Sequence, residues 1–217
     1  AFVGSRTLKG AGNRPFPLFS TPTYTRKVYG HIMRSSIIAV GLLALLVTPI
    51  AAQQAALTPA EDALFEAAAL GKLDDAKRLV AEGVPVDTVE PEGRTPLMVA
   101  AFDGHRHVVG FFLIEGADVD HKDVNGRNAL MYASSGPFVE TVEVLLDAGA
   151  DVNTQGTLEG FTALMTAAAE GQIEVVRLLL DSGADPTLED VDGDTALSFA
   201  RERGHTAVVK LLEQAGS

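Results

Sequence analysis

Glycines at an almost constant spacing divide most of this chain into units of equal length. Successive members of one set lie 33, 33, 34 and 33 residues apart, and a second set keeps the same phase. The two sets are Gly83, Gly116, Gly149, Gly183 and Gly216, and Gly93, Gly126, Gly160 and Gly193. A period of this length is typical of a stack of one supersecondary unit. Such stacks present extended surfaces to partners, so the pattern favours binding over catalysis.

The charged residues are distributed unevenly along the chain. All 29 Asp and Glu lie from Glu61 onward, whereas the first 52 residues carry six basic residues and no acidic one. Residues 53–217 carry 11 Lys and Arg, so their net charge is −18 with His neutral. This acidity argues against nucleic acid and anionic membranes as partners, because both attract basic residues. The absence of Cys excludes disulfides, thiolate nucleophiles and Cys metal clusters.

Residues 33–52 have the features of a secretory signal peptide. Met33 and Arg34 provide a short basic start, residues 37–47 are an unbroken run of apolar residues and Gly, and Ala52 offers a small residue for cleavage. The apolar run is shorter than the roughly 20 residues of a membrane span. We expect cleavage after Ala52 and a periplasmic or secreted product. A buried helix and an uncleaved anchor are the alternatives.

The expected division of the chain follows from this segment. Residues 1–32 are interpreted as sequence upstream of a start at Met33, or as disordered; the rival interpretation is an organelle-targeting extension, since transit peptides are Arg-rich and acid-poor. Residues 33–52 are the signal peptide, 53–59 a linker, and 60–217 the repeat domain. The expected repeats span about 60–89, 90–122, 123–155, 156–189 and 190–217.

Each repeat predicts two helices joined by a turn at a glycine. The first helix follows a residue with a short side chain whose oxygen can accept a hydrogen bond from a free backbone N–H. These N-caps are Thr95, Asn128, Thr162 and Thr195. The second helix is more apolar and is predicted at 107–115, 140–148, 174–182 and 206–215. The glycines expected to end the helices are Gly104, Gly171 and Gly204 for the first, and Gly116, Gly149 and Gly183 for the second.

This pattern closely resembles the ankyrin repeat. The family motif Thr-Pro-Leu-His-x-Ala appears at residues 95–100 as Thr-Pro-Leu-Met-Val-Ala, and the Gly-Ala-Asp-Val-Asn element appears at residues 149–153. The resemblance covers about residues 60–217 in five copies. It implies an all-α solenoid of about five helix–turn–helix repeats with short β-turn loops, stacked into a curved array with a concave binding surface.

The chain departs from the family pattern at several places. The motif His is replaced throughout, which predicts tighter apolar packing at this position. The residues found there are Phe65, Met98, Met131, Met165 and Ser198. The third repeat has Gly136-Pro137 at the turn between its helices, and the fourth repeat has one extra residue within 154–159. Both places should differ locally from the other repeats. At the N-terminal end, Thr58 and Glu61 form a capping-box pattern.

The residues that could bind a metal or take part in catalysis also have simpler structural explanations. His105 and His205 share one repeat position, which is a structural position in this family. His105 and His107 are two residues apart, whereas facing ligands on a helix need a spacing of three or four. The acidic residues 190–194 hint at a calcium loop, but the pattern lacks the closing Glu, and turn chemistry is the simpler interpretation. We expect no cofactor and no enzymatic activity.

The resemblance places partner binding at the turn tips and on the exposed side of the first helices. Phe102, Leu158 and Phe161 are the expected anchors, because exposed apolar side chains dominate interface energy. The alternative is that both Phe side chains pack between repeats. The full set of candidate partner-binding residues is Glu92, Arg94, Phe102, Asp103, Lys122, Asn125, Arg127, Ser135, Leu158, Phe161, Glu170, Asp192, Asp194 and Glu202. Tyr132 and Phe199 are expected in the core.

The sequence therefore predicts an exported, bacterial-type adaptor that binds another protein and acts as a monomer. A metal-binding sensor for calcium, or a metal-dependent enzyme using the acidic turns, is the alternative.

Overall fold

The computed structural model describes residues 57–215, and this part of the chain contains ten α-helices and no strand. The helices are α1 (Pro59–Ala69), α2 (Leu73–Ala81), α3 (Pro96–Phe102), α4 (Arg106–Ile114), α5 (Ala129–Ala133), α6 (Val139–Asp147), α7 (Ala163–Ala169), α8 (Ile173–Asp181), α9 (Ala196–Glu202) and α10 (Thr206–Ala215). None of the helices between residues 57 and 215 has the length and apolar character needed to cross a membrane.

The helices pair along the chain and stack in two layers. Each odd-numbered helix packs on the even-numbered helix that follows it, from α1 on α2 to α9 on α10. The odd-numbered first helices also contact one another in order, and the even-numbered second helices do the same. The predicted all-α solenoid of five helix–turn–helix repeats is therefore confirmed. The predicted segments 1–32 and 33–52 lie outside the described residues.

The first helices begin where the sequence predicts. The side chains of Thr95, Asn128, Thr162 and Thr195 each accept a hydrogen bond from a backbone N–H in the first turn of the helix they precede. At the start of α1, the backbone N–H of Thr58 donates to Oε2 of Glu61 at 2.7 Å, and the N–H of Glu61 donates to Oγ1 of Thr58 at 3.3 Å. These bonds satisfy backbone donors that a helix leaves unpaired at its N-terminus.

The predicted bounds of three second helices were wrong by one residue at each end. The observed helices are α4 (Arg106–Ile114), α6 (Val139–Asp147) and α8 (Ile173–Asp181), whereas α10 (Thr206–Ala215) matches its prediction. Each shifted helix starts directly after its N-cap residue, which follows the turn and has no side-chain capping bond. The glycines expected to end these helices have positive φ, for example +91° at Gly116 and +93° at Gly149.

The core lies between the two helix layers and between neighbouring repeats. Met98, Met131 and Met165, which replace the motif His, are fully buried, and Phe65 is buried as well. Ser198, in the last repeat, is only half-buried. The predicted apolar packing at this position is confirmed for the first four repeats. Leu145 and Leu179 of the second helices are completely shielded from solvent.

The turn between the helices of the third repeat differs from the others, as predicted. Gly104 and Gly171 have φ of +72° and +71° at this turn, but Gly136 is not among the glycines with positive φ. The ring of Phe138 lies against both Gly104 and Gly136. The first helix of this repeat, α5, has only five residues. The Gly136-Pro137 pair thus replaces the left-handed glycine turn with a shorter helix and an aromatic contact.

Candidate functional site

The turns between repeats form a continuous row of hairpin tips. Within one tip, the N–H of Asp123 donates to the carbonyl of Arg127 at 2.9 Å, and equivalent bonds close the tips of the second and fifth repeats. In the fourth repeat the N–H of Gly156 donates to the carbonyl of Phe161 at 2.8 Å. These two residues are five positions apart, whereas the paired residues of the other tips are four apart, so this tip has the predicted extra residue.

Backbone hydrogen bonds join each tip to the next. The N–H of Val124 donates to the carbonyl of Glu92 at 3.1 Å, and the N–H of Val191 donates to that of Glu159 at 3.1 Å. A longer bond of 3.5 Å links the N–H of Leu158 to the carbonyl of Asn125. Because these bonds involve the backbone, they hold the tips in register whatever side chains the tips carry.

Apolar side chains occupy the same position of every tip, two residues before its glycine. We call these residues the tip row: Pro91, Val124, Leu158 and Val191. Val124 is 57% exposed, Leu158 61% and Val191 68%, and Pro91 is also exposed. The family resemblance places all four of these residues at turn tips, and Leu158 is the one of them expected from the sequence to be an anchor.

The candidate residues predicted from sequence fall into two groups by exposure. The exposed ones are Glu92, Asp103, Lys122, Leu158, Glu170, Asp192, Asp194 and Glu202. The half-buried ones are Arg94, Phe102, Asn125, Arg127, Ser135 and Phe161. The second group makes contacts within the domain. A role for either group in partner binding stays a prediction.

The two Phe side chains predicted as anchors pack between repeats while keeping part of their surface exposed. The ring of Phe102 meets that of Tyr132 edge-on, with centroids 6.1 Å apart. The ring of Phe161 meets that of Phe199 in the same way at 5.3 Å. Tyr132 and Phe199 are buried, as predicted. The geometry thus favours the packing alternative for both Phe residues and makes Leu158 the better anchor.

A buried polar cluster, which was not predicted from the sequence, lies beneath the tip of the third repeat. The hydroxyl of Tyr132 donates to Oδ2 of Asp123 at 2.7 Å, and Asp123 is buried. Oδ1 of Asp123 accepts from the backbone N–H groups of Asn125 and Arg127, both at 2.8 Å. The guanidinium of Arg127 lies 5.6 Å from the centre of the Tyr132 ring, and its Nε is 3.5 Å from Oδ2 of Asp123. The cluster fixes the shape of the tip.

Burial and hydrogen bonding alter the acidity of groups near this cluster. Burial, and then the bond to Asp123, raises the pKa of Tyr132. In the second repeat, Glu90 forms a half-buried ion pair with Arg94. Burial raises the pKa of Glu90 by more than Arg94 lowers it. Glu90 and Asp123 each precede an Arg by four residues, and this recurrence was the available sequence signal for both.

Three histidines have structural partners. Nε2 of His105 lies 3.0 Å from the carbonyl oxygen of Ala69, and Nε2 of His205 lies 3.0 Å from that of Ala169. The structural role predicted for this repeat position is confirmed. His121 contacts the carbonyl oxygen of Gly93 at 3.0 Å. In residues 57–215 there is no group of three or more residues placed to hold a metal ion.

The acidic segment 190–194 uses its leading carboxylate to form a turn. Oδ1 of Asp190 accepts from the backbone N–H groups of Asp192 at 2.9 Å and Asp194 at 2.8 Å. In the tip of the third repeat, Oδ1 of Asp123 accepts in the same way from the backbone N–H groups two and four residues later. The shared geometry supports turn chemistry as the role of Asp190.

Comparison with known proteins identifies the repeat. A sequence profile described as ankyrin repeats (3 copies) matches residues 64–156 and 154–217, which together cover more than half of the chain. No curated protein gave a match.

Proposed function

We propose, from the premise that this chain belongs to the ankyrin-repeat family, that it is an exported adaptor which binds another protein through its tips and first helices. Ankyrin repeats mediate protein–protein interaction, and proteins built from them are typically non-enzymatic interaction modules. The residues that vary between repeats therefore carry the specificity of this chain. We further propose that it acts as a monomer, because a net charge of −18 on residues 53–217 opposes self-association.

The tip row is the observation that carries the proposal. Val124, Leu158 and Val191 are more than half exposed, and they belong to three successive tips joined by backbone hydrogen bonds. Apolar side chains exposed singly are common on protein surfaces and need no explanation. An apolar side chain at the same exposed position of every tip is different, because a partner that contacts one tip can contact the next without reordering the backbone.

The negative charge of the fourth and fifth repeats indicates the charge expected on the partner's surface. Glu170, Asp192, Asp194 and Glu202 are all exposed on the tips and first helices of this end. Complementary charge speeds association and excludes wrong partners. The proposed partner therefore presents a basic surface with apolar residues, and we expect its association rate to fall as salt rises.

Export rests on residues 33–52, which lie outside the described residues. The sequence order of basic start, apolar run and small residue supports it. Expression of the full chain in a bacterium, followed by fractionation and mass spectrometry, tests it. We expect a periplasmic or secreted product beginning at Gln53. A product that keeps residues 33–52 would contradict cleavage, and a cytoplasmic one would contradict export.

The binding surface is tested best at the tip row. The triple substitution Val124→Asp, Leu158→Asp and Val191→Asp changes exposed side chains only, so the fold should survive it. Substitution of Phe102 or Phe161 would disturb packing and is less informative. Proteins co-purifying with the wild type, identified by quantitative mass spectrometry and then purified, should bind the triple variant at least tenfold more weakly.

Ile114→Asp is the matched control for this experiment. Ile114 is 84% exposed but lies on a second helix, away from the tips. The control should keep wild-type affinity for the purified partner. Equal affinity of the triple variant and the wild type would count against the tip row as the binding surface.

A further inference from the structure

The second helix of the second repeat differs from its four counterparts. Its fifth residue is Gly110, whereas α2, α6, α8 and α10 have Lys77, Glu143, Arg177 and Lys210 at that position. Its last residue is the exposed Ile114, whereas α6 and α8 end in Asp147 and Asp181. α4 thus lacks the long polar side chain that the other second helices have at this position, and it ends in an exposed apolar residue.

The missing side chain leaves a hollow on the face formed by the second helices. Its volume is about 460 Å³, and it spans α2, α4 and α6. Leu73, Phe111, Ile114 and Val144 supply its apolar lining, and Gly110 lies among them. Pockets of about 300–1,000 Å³ with mostly apolar walls are typical of small-molecule sites. The hollow is therefore large enough for a ligand and has walls that favour an apolar one.

The polar groups that line the hollow are all basic or imidazole. They are Lys77, Arg106 and His107, and no Asp or Glu is among the lining residues. Arg106 forms an ion pair of 3.0 Å with Glu140, which leaves Lys77 and His107 without an ion-pair partner among the described residues. A group of this kind is unusual on a domain of net charge −18. It complements an anion rather than a cation or a neutral head group.

We propose that this hollow binds a linear amphiphile with a single carboxylate, that is, a medium-chain fatty acid. The apolar walls contact the alkyl chain, and Lys77 and His107 contact the carboxylate. A doubly charged phosphate fits less well, because Glu140 stands beside Arg106. The site lies on the second helices and is independent of the tip row.

Decanoate is the probe that tests the proposal, measured by calorimetry and by two-dimensional NMR on the full chain. We expect saturable binding, with the largest chemical-shift changes at Gly110, Phe111 and Ile114. The dissociation constant should rise about two- to fourfold for each methylene removed, because each buried methylene contributes about 0.8 kcal/mol at most. Absence of binding, or affinity that does not depend on chain length, overturns the proposal.

Gly110→Arg tests the hollow itself. The substitution places on α4 the side chain that Arg177 provides on α8, so the fold should tolerate it. We expect at least a tenfold loss of decanoate affinity with an unchanged or raised melting temperature. Lys210→Arg, at the same helix position on α10, is the matched control and should bind as the wild type does. Wild-type affinity in Gly110→Arg overturns the proposed location.

Lys77→Gln tests the recognition of the carboxylate. Decanoate should bind this variant about two- to fivefold more weakly, as expected for loss of an exposed ion pair. The neutral analogue 1-decanol should bind both proteins equally. An equal loss for the acid and the alcohol would show that Lys77 acts by packing and would overturn the role of charge.

Discussion

The imidazole of His105 lies directly against Gly71 of the preceding repeat. A Cβ atom on Gly71 would be 2.6 Å from Nδ1 of the His105 ring, whose Nε2 contacts the carbonyl oxygen of Ala69 at 3.0 Å. His205 has the same relationship to Gly171 and Ala169. In the second and fifth repeats, the His that follows the inter-helix turn therefore joins its repeat to the preceding one through one hydrogen bond and one close ring contact.

Gly71→Ala should destabilise the protein by about 2–4 kcal/mol. About 1–2 kcal/mol comes from placing Ala in the left-handed backbone conformation, with φ of +66° at Gly71. The rest comes from displacing the imidazole and weakening its hydrogen bond. Urea unfolding measures the change.

Gly204→Ala is the control for this substitution. Gly204 has φ of +75°, but nothing lies within 4 Å of a Cβ placed there. It should show only the backbone cost of about 1–2 kcal/mol. Equal losses at Gly71 and Gly204 would mean that the ring contact contributes nothing to stability.

Tyr132→Phe should cost about 1.5–3 kcal/mol. The substitution removes the 2.7 Å hydrogen bond to Oδ2 of Asp123, and Asp123 is buried. Hydrogen bonds to charged groups contribute about this much, and the carboxylate cannot recover the bond from bulk water. Chemical denaturation at neutral pH checks the value. A loss below 0.5 kcal/mol, roughly the smallest value for any hydrogen bond, would mean that another donor replaces the hydroxyl.

The stability that Tyr132 contributes should depend on pH in the alkaline range. Burial and the bond to Asp123 raise the pKa of Tyr132 in the folded protein. The unfolded chain releases the phenolic proton near the ordinary value of about 10. The contribution is therefore full below pH 10 and is lost as the pH rises from there toward the folded pKa.

Absorbance titration measures this shift directly. Tyr24 and Tyr29 are the other two tyrosines of the chain, so the difference between wild type and Tyr132→Phe isolates Tyr132. That difference should show no ionisation near pH 10 while the protein is folded. A transition centred near pH 10 in the folded protein would contradict the raised pKa.

Asn128→Thr should stabilise the protein by about 1 kcal/mol. Asn128 caps α5 through Oδ1, which accepts from the N–H of Met131 at 3.1 Å, but its Nδ2 is buried without an acceptor in the described part of the chain. Thr162 caps α7 with the same 3.1 Å geometry, and its side chain has no buried polar atom without a hydrogen-bond partner. A buried donor without a partner costs about 1–3 kcal/mol. Thermal unfolding should show a rise of about 2–4 °C.

The reverse exchange, Thr162→Asn, controls for the identity of the capping residue. It introduces the spare amide donor into the fourth repeat and should lower stability by a similar amount. If both exchanges shifted the melting temperature in the same direction, the unpaired donor would not be the cause.

The periodic features of this fold could be predicted from sequence because they depend on local rules repeated in phase. The caps at Thr95 and Thr162 each need one side-chain oxygen and one backbone N–H, and the residue that donates lies three positions after the cap. The replacements at Met98 and Met131 keep an apolar side chain where the register requires one. The helix ends were less well predicted, since the N-cap residues His105 and Phe138 have no capping side-chain bond that could mark them.

The contacts between repeats could not be predicted in the same way. The bond from Tyr132 to Asp123 joins residues nine positions apart. It depends on how far the tip of the third repeat folds back over α5. The hollow at Gly110 depends on three helices from three repeats. The neighbouring sequence is enough to explain each of these residues on its own. Only the packed structure therefore shows that Tyr132 bonds to Asp123 and that a hollow forms at Gly110.

Leu145→Ala and Leu179→Ala should each cost about 2–5 kcal/mol, because both leucines are fully buried in second helices and truncation leaves a cavity between repeats. Leu146→Ala is the control, since its half-buried side chain loses less contact with its neighbours and should cost less. Urea unfolding of the three variants gives the comparison. Neutral substitutions at both Leu145 and Leu179 would show that the register assigned to α6 and α8 is wrong, because that register alone places these two side chains in the core.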